Sequence, residues 1–160
     1  MDHYGLIGKS LKHSFSKVFF SDKFIQQKIN AVYENFELED IKLFPDLVQS
    51  IPSLKGLNVT IPYKKQIMEY LDELDASALD ARAVNTISVY RKGQEIQLKG
   101  FNTDCMAFKI TLQAMLMPYH KKAIILGTGG AAGAVSAALK SLYIESLIIS
   151  REQRSDTILY

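Results

Sequence analysis

The chain has 160 residues, 48% of them hydrophobic, a formal net charge of +2 and a single cysteine, Cys105. That is enough for one ordinary core or two small ones. The balanced charge, with no Lys/Arg block, argues against a nucleic-acid partner. One cysteine excludes an internal disulfide framework, and no apolar run reaches the ~18 residues of a membrane span.

In chain order, Tyr4-Gly5-Leu6-Ile7-Gly8 reads as a short strand, followed by the polar loop from Gly8 to Ser16. The spacing predicts an amphipathic helix from about Ser16 to Ile29, with Val18, Phe19, Phe20, Phe24 and Ile25 on its apolar side. Ala31 to Phe36 is a second strand. Glu37 to Gln49 reads as a helix broken or kinked near Pro45. Leu57, Val59 and Ile61 alternate with Asn58 and Thr60, the period of a strand. Pro62 then opens a helix expected from Tyr63 to Leu74. Strands follow at Ala83 to Tyr90 and Glu95 to Phe101, joined by a hairpin turn at Arg91-Lys92-Gly93-Gln94. A helix spans about Thr103 to Met117. Pro118 to Lys122 is the candidate linker. Beyond it come an apolar strand (Ala123 to Leu126), a helix (Gly130 to Leu142) and a strand (Leu147 to Ser150).

This order predicts an α/β chain. Residues 1–117 would form a mostly parallel sheet with an antiparallel hairpin strand at one edge. Residues 118–160 would open a doubly wound, Rossmann-like nucleotide fold, with two strands and one helix where two βαβαβ halves are the rule. Two parallel strands cannot bury both of their faces. The expectation is therefore a fragment, or a surface covered by something else, a second copy of the chain included.

Three stretches carry candidate chemistry. The first is Gly56-Leu57-Asn58-Val59-Thr60-Ile61-Pro62-Tyr63-Lys64-Lys65, which sets Thr60 at a strand's carboxyl end, where open α/β sheets bind ligands, and Lys64 just after it. The second is Ser14 and Ser16, whose hydroxyls at a helix N-terminus suit an anion. The third is Gly127-Thr128-Gly129-Gly130-Ala131, a glycine-rich turn between a strand and a small-residue helix, fit for a pyrophosphate. At the next strand tip, Ser150, Arg151 and Arg154 stand where a carboxylate would mark NAD, and the arginines favour NADP. Each has a plainer alternative. Lys64 could be a solvated lysine, Ser14, Ser16 and Asp104 could be helix caps, Asn85 could be a structural strand residue, and the glycine turn and arginine loop could be only that. Cys105 reads as a packed thiol.

Read together, five ordered blocks resemble the shikimate dehydrogenase family: the opening strand and Ser-x-Ser loop, Asn58 to Lys64, Ala83-Val84-Asn85-Thr86, Asn102-Thr103-Asp104, and Gly127 to Ala131. The resemblance implies NADPH-linked reduction of 3-dehydroshikimate to shikimate in aromatic amino-acid biosynthesis. It implies that Ser14 and Ser16 hold the substrate carboxylate, and that Thr60, Asn85 and Asp104 bind its hydroxyls. Lys64 and Asp104 form the catalytic pair, and Gly127, Thr128, Gly129, Gly130, Ala131, Ser150, Arg151 and Arg154 meet the cofactor. No metal is implied. Family members continue past this point, so low turnover is expected of this chain. A quinate- or NAD-using relative and a non-catalytic assembly module are the competing readings. The N-terminus lacks an apolar signal core, and a soluble cytoplasmic protein is expected.

Overall fold

The computed structural model describes residues 1–151 and 157–159. They fall into two compact units, residues 1–74 with 84–100, and residues 75–83 with 101–160. The fold is mixed α/β with a mostly parallel sheet, in line with the sequence pattern.

The first unit is built on β1 (Asp2–Gly8), β2 (Ala31–Glu37), β3 (Leu54–Val59), β4 (Glu73–Leu74), β5 (Thr86–Lys92) and β6 (Glu95–Phe101). Their order across the sheet is β2-β1-β3-β5-β6-β4. β1 pairs in parallel with both β2 and β3, and β5 turns antiparallel against β3. Successive residues of a strand face opposite sides, and both Leu6 and Ile7 of β1 are buried. The sheet centre is therefore covered on both faces, as parallel strands require.

Helix α1 (Ser16–Gln26) sets Phe20 and Phe24 against the buried cluster of Leu6, Leu11 and Tyr33. These two lie one turn apart and make a single stripe. Val18, Phe19 and Ile25 fall off that stripe and are exposed, contrary to the sequence expectation. The helix expected over 37–49 is shorter. β2 runs through Glu37, the Asp40 carboxylate caps a 3-10 turn by accepting from the Lys42 N–H, and α2 (Phe44–Ser50) follows. Pro45 sits in the first turn of α2, where it starts a helix rather than breaking one.

Strand β3 begins and ends earlier than the alternation implied. Leu57 and Val59 are buried, whereas Ile61 is 77% exposed, beyond the strand end. The helix expected over 63–74 does not form. Residues 61–65 are turns and Gln66–Tyr70 is a 3-10 helix. The physical reason is a carbonyl used elsewhere: Lys64 O accepts from Val84 N at 2.7 Å, while Met68 N turns to Lys65 O. That tie also keeps 83–85 out of the next strand, which starts at Thr86. The hairpin forms as predicted, with Gly93 at φ +63° between β5 and β6.

The second unit contains α3 (Ala76–Ala81), α4 (Thr103–Gln113), β7 (Lys122–Leu126), α5 (Gly130–Ser141), β8 (Glu145–Ser150) and β9 (Ile158–Leu159). β7, β8 and β9 are parallel neighbours in that order. The linear expectation placed α4 with residues 1–117. Instead its Phe108 and Leu112 pack on Ile125, Leu139 and Ile144, within the second unit. Ile124, Leu126 and Leu147 are exposed, the uncovered sheet surface that so few parallel strands imply. α3 was not anticipated; the Asp75 carboxylate caps it by accepting from Ser77 N.

Gly133 is a point of close approach. A Cβ there would lie 2.0 Å from the Ala81 carbonyl oxygen, so α5 rests directly on the end of α3. Gly133 of α5 thus serves helix-on-helix packing. Gly133→Val forces the two helices apart, and overpacking of this kind costs about 1–3 kcal/mol. The expected outcome is a lower urea midpoint for the variant.

Candidate functional site

The ends of β1 and β3 are held level by backbone bonds. Thr60 N donates to Ile7 O at 2.9 Å, Leu38 N to Gly8 O at 2.9 Å, and Lys9 N to Ile61 O at 3.4 Å. Off these carboxyl ends opens a cleft of about 630 Å³ whose lining includes Lys9, His13, Ser14, Ser16 and Thr60. None of its lining residues among those described is acidic. Gly8 is what lets the walls meet: a Cβ there would stand 2.6 Å from a Leu11 methyl and 2.8 Å from the Thr60 methyl.

Three of the residues read from sequence therefore share one cleft: Ser14, Ser16 and Thr60. The loop that carries the serines is fixed by the Glu37 carboxylate, which accepts from Leu11 N at 2.6 Å. Ser14 N donates to Leu11 O, and Ser14 Oγ accepts from Ser16 N at 3.3 Å. Ser16 is the first residue of α1, and no side chain caps that helix at Phe15. Hydroxyls and the partial positive charge of the helix start thus face the same opening.

A polar cluster joins Asn85, named from the sequence, to Tyr33, Asn58 and Thr86, a connection the sequence reading did not foresee. Tyr33, 4% exposed, stacks on Phe20 and donates its phenol proton to Asn58 Oδ1 at 2.8 Å. Asn58 Nδ2 reaches Asn85 O and Thr86 Oγ1, and Thr86 Oγ1 donates to Asn85 Oδ1 at 3.0 Å. Asn85 is buried, precedes β5, and its carbonyl accepts from Val59 N at 2.8 Å. The signal for this cluster was a polar Asn58 inside an apolar strand. Burial pushes the Tyr33 phenol up to about 12, with a Ser16 hydrogen bond partly opposing.

Lys64, half-buried, belongs to the first unit, and Asp104, half-buried in the first turn of α4, to the second. The cap of α4 is Asn102, read from sequence as a turn residue: its side chain accepts from Cys105 N at 3.1 Å and donates to Ala83 O at 2.9 Å. Burial and Asp80 push the Cys105 thiol up, against Lys109.

At the glycine-rich turn, Gly127 has φ +105°, a conformation suited to glycine. Gly129 and Gly130 lead into α5, and a Cβ on Gly127 or Gly129 would meet nothing within 4 Å. Thr128 lies in the same turn, and Ala131 is the second residue of α5. The space over the turn is open to a phosphate group, with the helix start beneath it. Ser150 is buried at the end of β8 and Arg151 is exposed just after it. Arg154 lies outside the described residues.

A parallel α/β unit with a cleft off its strand ends thus shares one chain with a strand–glycine turn–helix unit. Comparison with known proteins identifies the group. Residues 6–87 match the family model of the shikimate dehydrogenase substrate binding domain, and the chain belongs to that family. It is 37% identical over 153 residues to the NADP(+) shikimate dehydrogenase of Saccharolobus solfataricus, covering 95% of this chain and 54% of that protein. It is 38% identical to the Clostridium beijerinckii enzyme, covering 98% and 58%. Shikimate dehydrogenase 1 of Peptoclostridium difficile superposes with a TM-score of 0.84 at 35% identity, over 100% of this chain and 60% of that one. The Thermus thermophilus enzyme in complex with NADP(H) and shikimate superposes at 0.80 and 28% identity, over 94% and 56%. The chain thus spans about half the length of the curated relatives it matches.

The raised Tyr33 phenol has a consequence for stability. The folded chain keeps a proton that the unfolded chain releases from pH 10 upward, so this contribution is fully present below pH 10 and lost as the pH rises towards 12. Each retained proton is worth about 1.4 kcal/mol per pH unit in that window. The urea midpoint is expected to fall between pH 10 and 12, and less steeply in Tyr33→Phe. Tyr63, also raised by burial and by Asp40 and Glu39, keeps part of the slope in that variant.

Proposed function

We propose that this chain carries the substrate-binding half of an NADP-dependent shikimate dehydrogenase, acting in the reversible reduction of 3-dehydroshikimate to shikimate. The observation that carries the reading is the non-acidic cleft holding the Ser14, Ser16 and Thr60 hydroxyls. A ligand with one carboxylate and several hydroxyls matches it: serine hydroxyls and the start of α1 take the carboxylate, and Thr60, Asn85 and Asp104 take the hydroxyls.

In this reading Lys64 and Asp104 are the catalytic pair. An ammonium beside the reacting oxygen donates the proton that a forming alkoxide needs, or stabilises its charge. A carboxylate accepts from the substrate hydroxyl and orients it. The cofactor fits the turn at Gly127, Thr128, Gly129, Gly130 and Ala131, which is open where side chains would stand. Ser150, Arg151 and Arg154 are assigned to its 2′-phosphate end. When bound, NADPH supplies the hydride. Residues 1–117 are proposed as the substrate-binding portion and 118–160 as the start of the nucleotide-binding portion. The described residues contain no helix long and apolar enough to cross a membrane, and a cytoplasmic setting fits the substrate. The exposed Ile124, Leu126 and Leu147 support pairing of two copies as a further part of the proposal.

Two measurements test this. Calorimetric titration is expected to find shikimate bound, and weakened at least tenfold by the Ser14→Ala, Ser16→Ala double variant, since loss of hydrogen bonds to a charged group costs about 1.5–3 kcal/mol each. Lys64→Ala is expected to retain shikimate binding within a few-fold, while lowering NADP-linked oxidation of shikimate at least a hundredfold. Absence of shikimate binding by the wild-type chain refutes the reading.

A further inference from the structure

The cleft holds two basic side chains besides its hydroxyls. Lys9 is a standing cation, and His13 is of the residue type that gains its charge between about pH 5 and 8. The Lys9 side chain is 57% exposed and that of its neighbour Glu39 88% exposed, with 3.9 Å between them. An ion pair so open to water holds little, so the Lys9 charge stays available to the cleft. The Glu37 carboxylate is engaged by Leu11 N at 2.6 Å. His13 is placed by its backbone. Leu11 N is tied to Glu37, and Ser14 N donates to Leu11 O at 2.9 Å, which closes a tight turn with Lys12 and His13 between them. The ring therefore leaves a fixed turn, next in sequence to Ser14, and lines the same cleft as Ser14 and Ser16. The other two histidines lie elsewhere. His3 is at the far end of β1, beside Ser53 and Glu34, and His120 is in the second unit.

We infer that His13 is a specificity residue for the ligand carboxylate. As an imidazolium it adds a positive charge and a second N–H donor beside the Ser14 and Ser16 hydroxyls, and it gives up both when it releases its proton. Affinity for the carboxylate then falls as the pH rises through the imidazole range. By linkage, a bound carboxylate holds the proton on the ring by the same factor. The inference rests on the shikimate reading for the ligand's identity, and on the cleft for its charge. The elements around the loop carry Lys9 and Lys12 on the loop itself, Lys17 at the start of α1, Glu37, Glu39 and Asp40 after β1's neighbour β2, and Tyr63 and Lys64 after β3. Lysines, carboxylates and phenols ordinarily keep one charge state between pH 5.5 and 8.5, which leaves the imidazole as the group that changes there.

Calorimetric titration of the full chain with shikimate at low salt, at pH 5.5 and 8.5, tests this. Binding is expected to be about fivefold tighter at pH 5.5, the upper end for an ion contact open to solvent. His13→Asn, a residue suited to a turn, is expected to bind equally at both pH values, at the weaker level. His13→Lys is expected to bind equally at both, at the tighter level. Lys9→Gln weakens both and leaves the ratio unchanged. Methyl shikimate, which lacks the charge, shows no ratio in the wild-type chain. A ratio that survives in His13→Asn, a ratio shared by methyl shikimate, or equal wild-type affinity for shikimate at the two pH values overturns the inference. A second measurement needs no shikimate. Benzoate, a carboxylate on a bare ring, is expected to move the His13 ring C–H resonances and to shift their titration to higher pH, with those of His3 and His120 unmoved. If benzoate does so while shikimate fails to bind, the functional reading falls and the role of His13 stands. If benzoate leaves the His13 resonances in place, the inference falls whatever shikimate does.

Discussion

Everything in the first unit depends on strand ends that finish level. Thr60 N to Ile7 O, Leu38 N to Gly8 O and Val59 N to Asn85 O pin the exits of β1, β2 and β3 to one another and to the segment before β5. Where parallel strands end together, their last carbonyls and the loops that follow cannot all be satisfied by the sheet, and the site forms there. Gly8 makes the arrangement possible, because any side chain would collide with Leu11 and Thr60. The Ser14–Ser16 loop can then fold back over the strand ends, held by Glu37, and the cleft is the space it leaves.

The parts that were legible from sequence are those with a local cause. Alternation at Leu57 to Val59 and the glycine-rich turn before α5 each specify a backbone without help from distant residues. Ser14, Ser16 and Thr60 could be named because motif order placed them near a helix start and a strand end. What escaped was set by distant partners. Residues 63–74 have an apolar pattern compatible with a helix, yet Val84, twenty positions on, takes the Lys64 carbonyl. Asn102 reads as a turn residue until its amide is seen capping α4 and holding Ala83 O. Tyr33 looks like an ordinary strand tyrosine; only the packing of β2, β1 and β3 brings its phenol to Asn58. The membership of α4 was misjudged for the same reason, since an amphipathic stripe does not say which neighbour it faces.

The second unit illustrates how backbone geometry can stand ahead of side-chain chemistry. Gly127, Gly129 and Gly133 do three different things: one adopts a positive φ, one leaves open space above a helix start, and one admits the Ala81 carbonyl. A glycine count would treat them alike. Only the first two shape the space over the turn, and the third rests α5 on the end of α3.

Lys64 is held in a comparable way. The residue before it, Tyr63, is buried, and its phenol donates to Leu38 O. The Lys64 carbonyl accepts from Val84 N. Lys64 is thus flanked by two anchors, the Tyr63 side chain on the segment after β2 and its own carbonyl on the segment before β5. A side chain on a regular helix would have been fixed by its neighbours in sequence, whereas this one is referenced to the same strand ends that shape the cleft. Proton transfer is sensitive to displacements well under an ångström. A lysine whose backbone moves with the cleft keeps its relation to whatever the cleft binds. The loss of the expected helix is therefore the feature that ties Lys64 to the strand ends that shape the cleft.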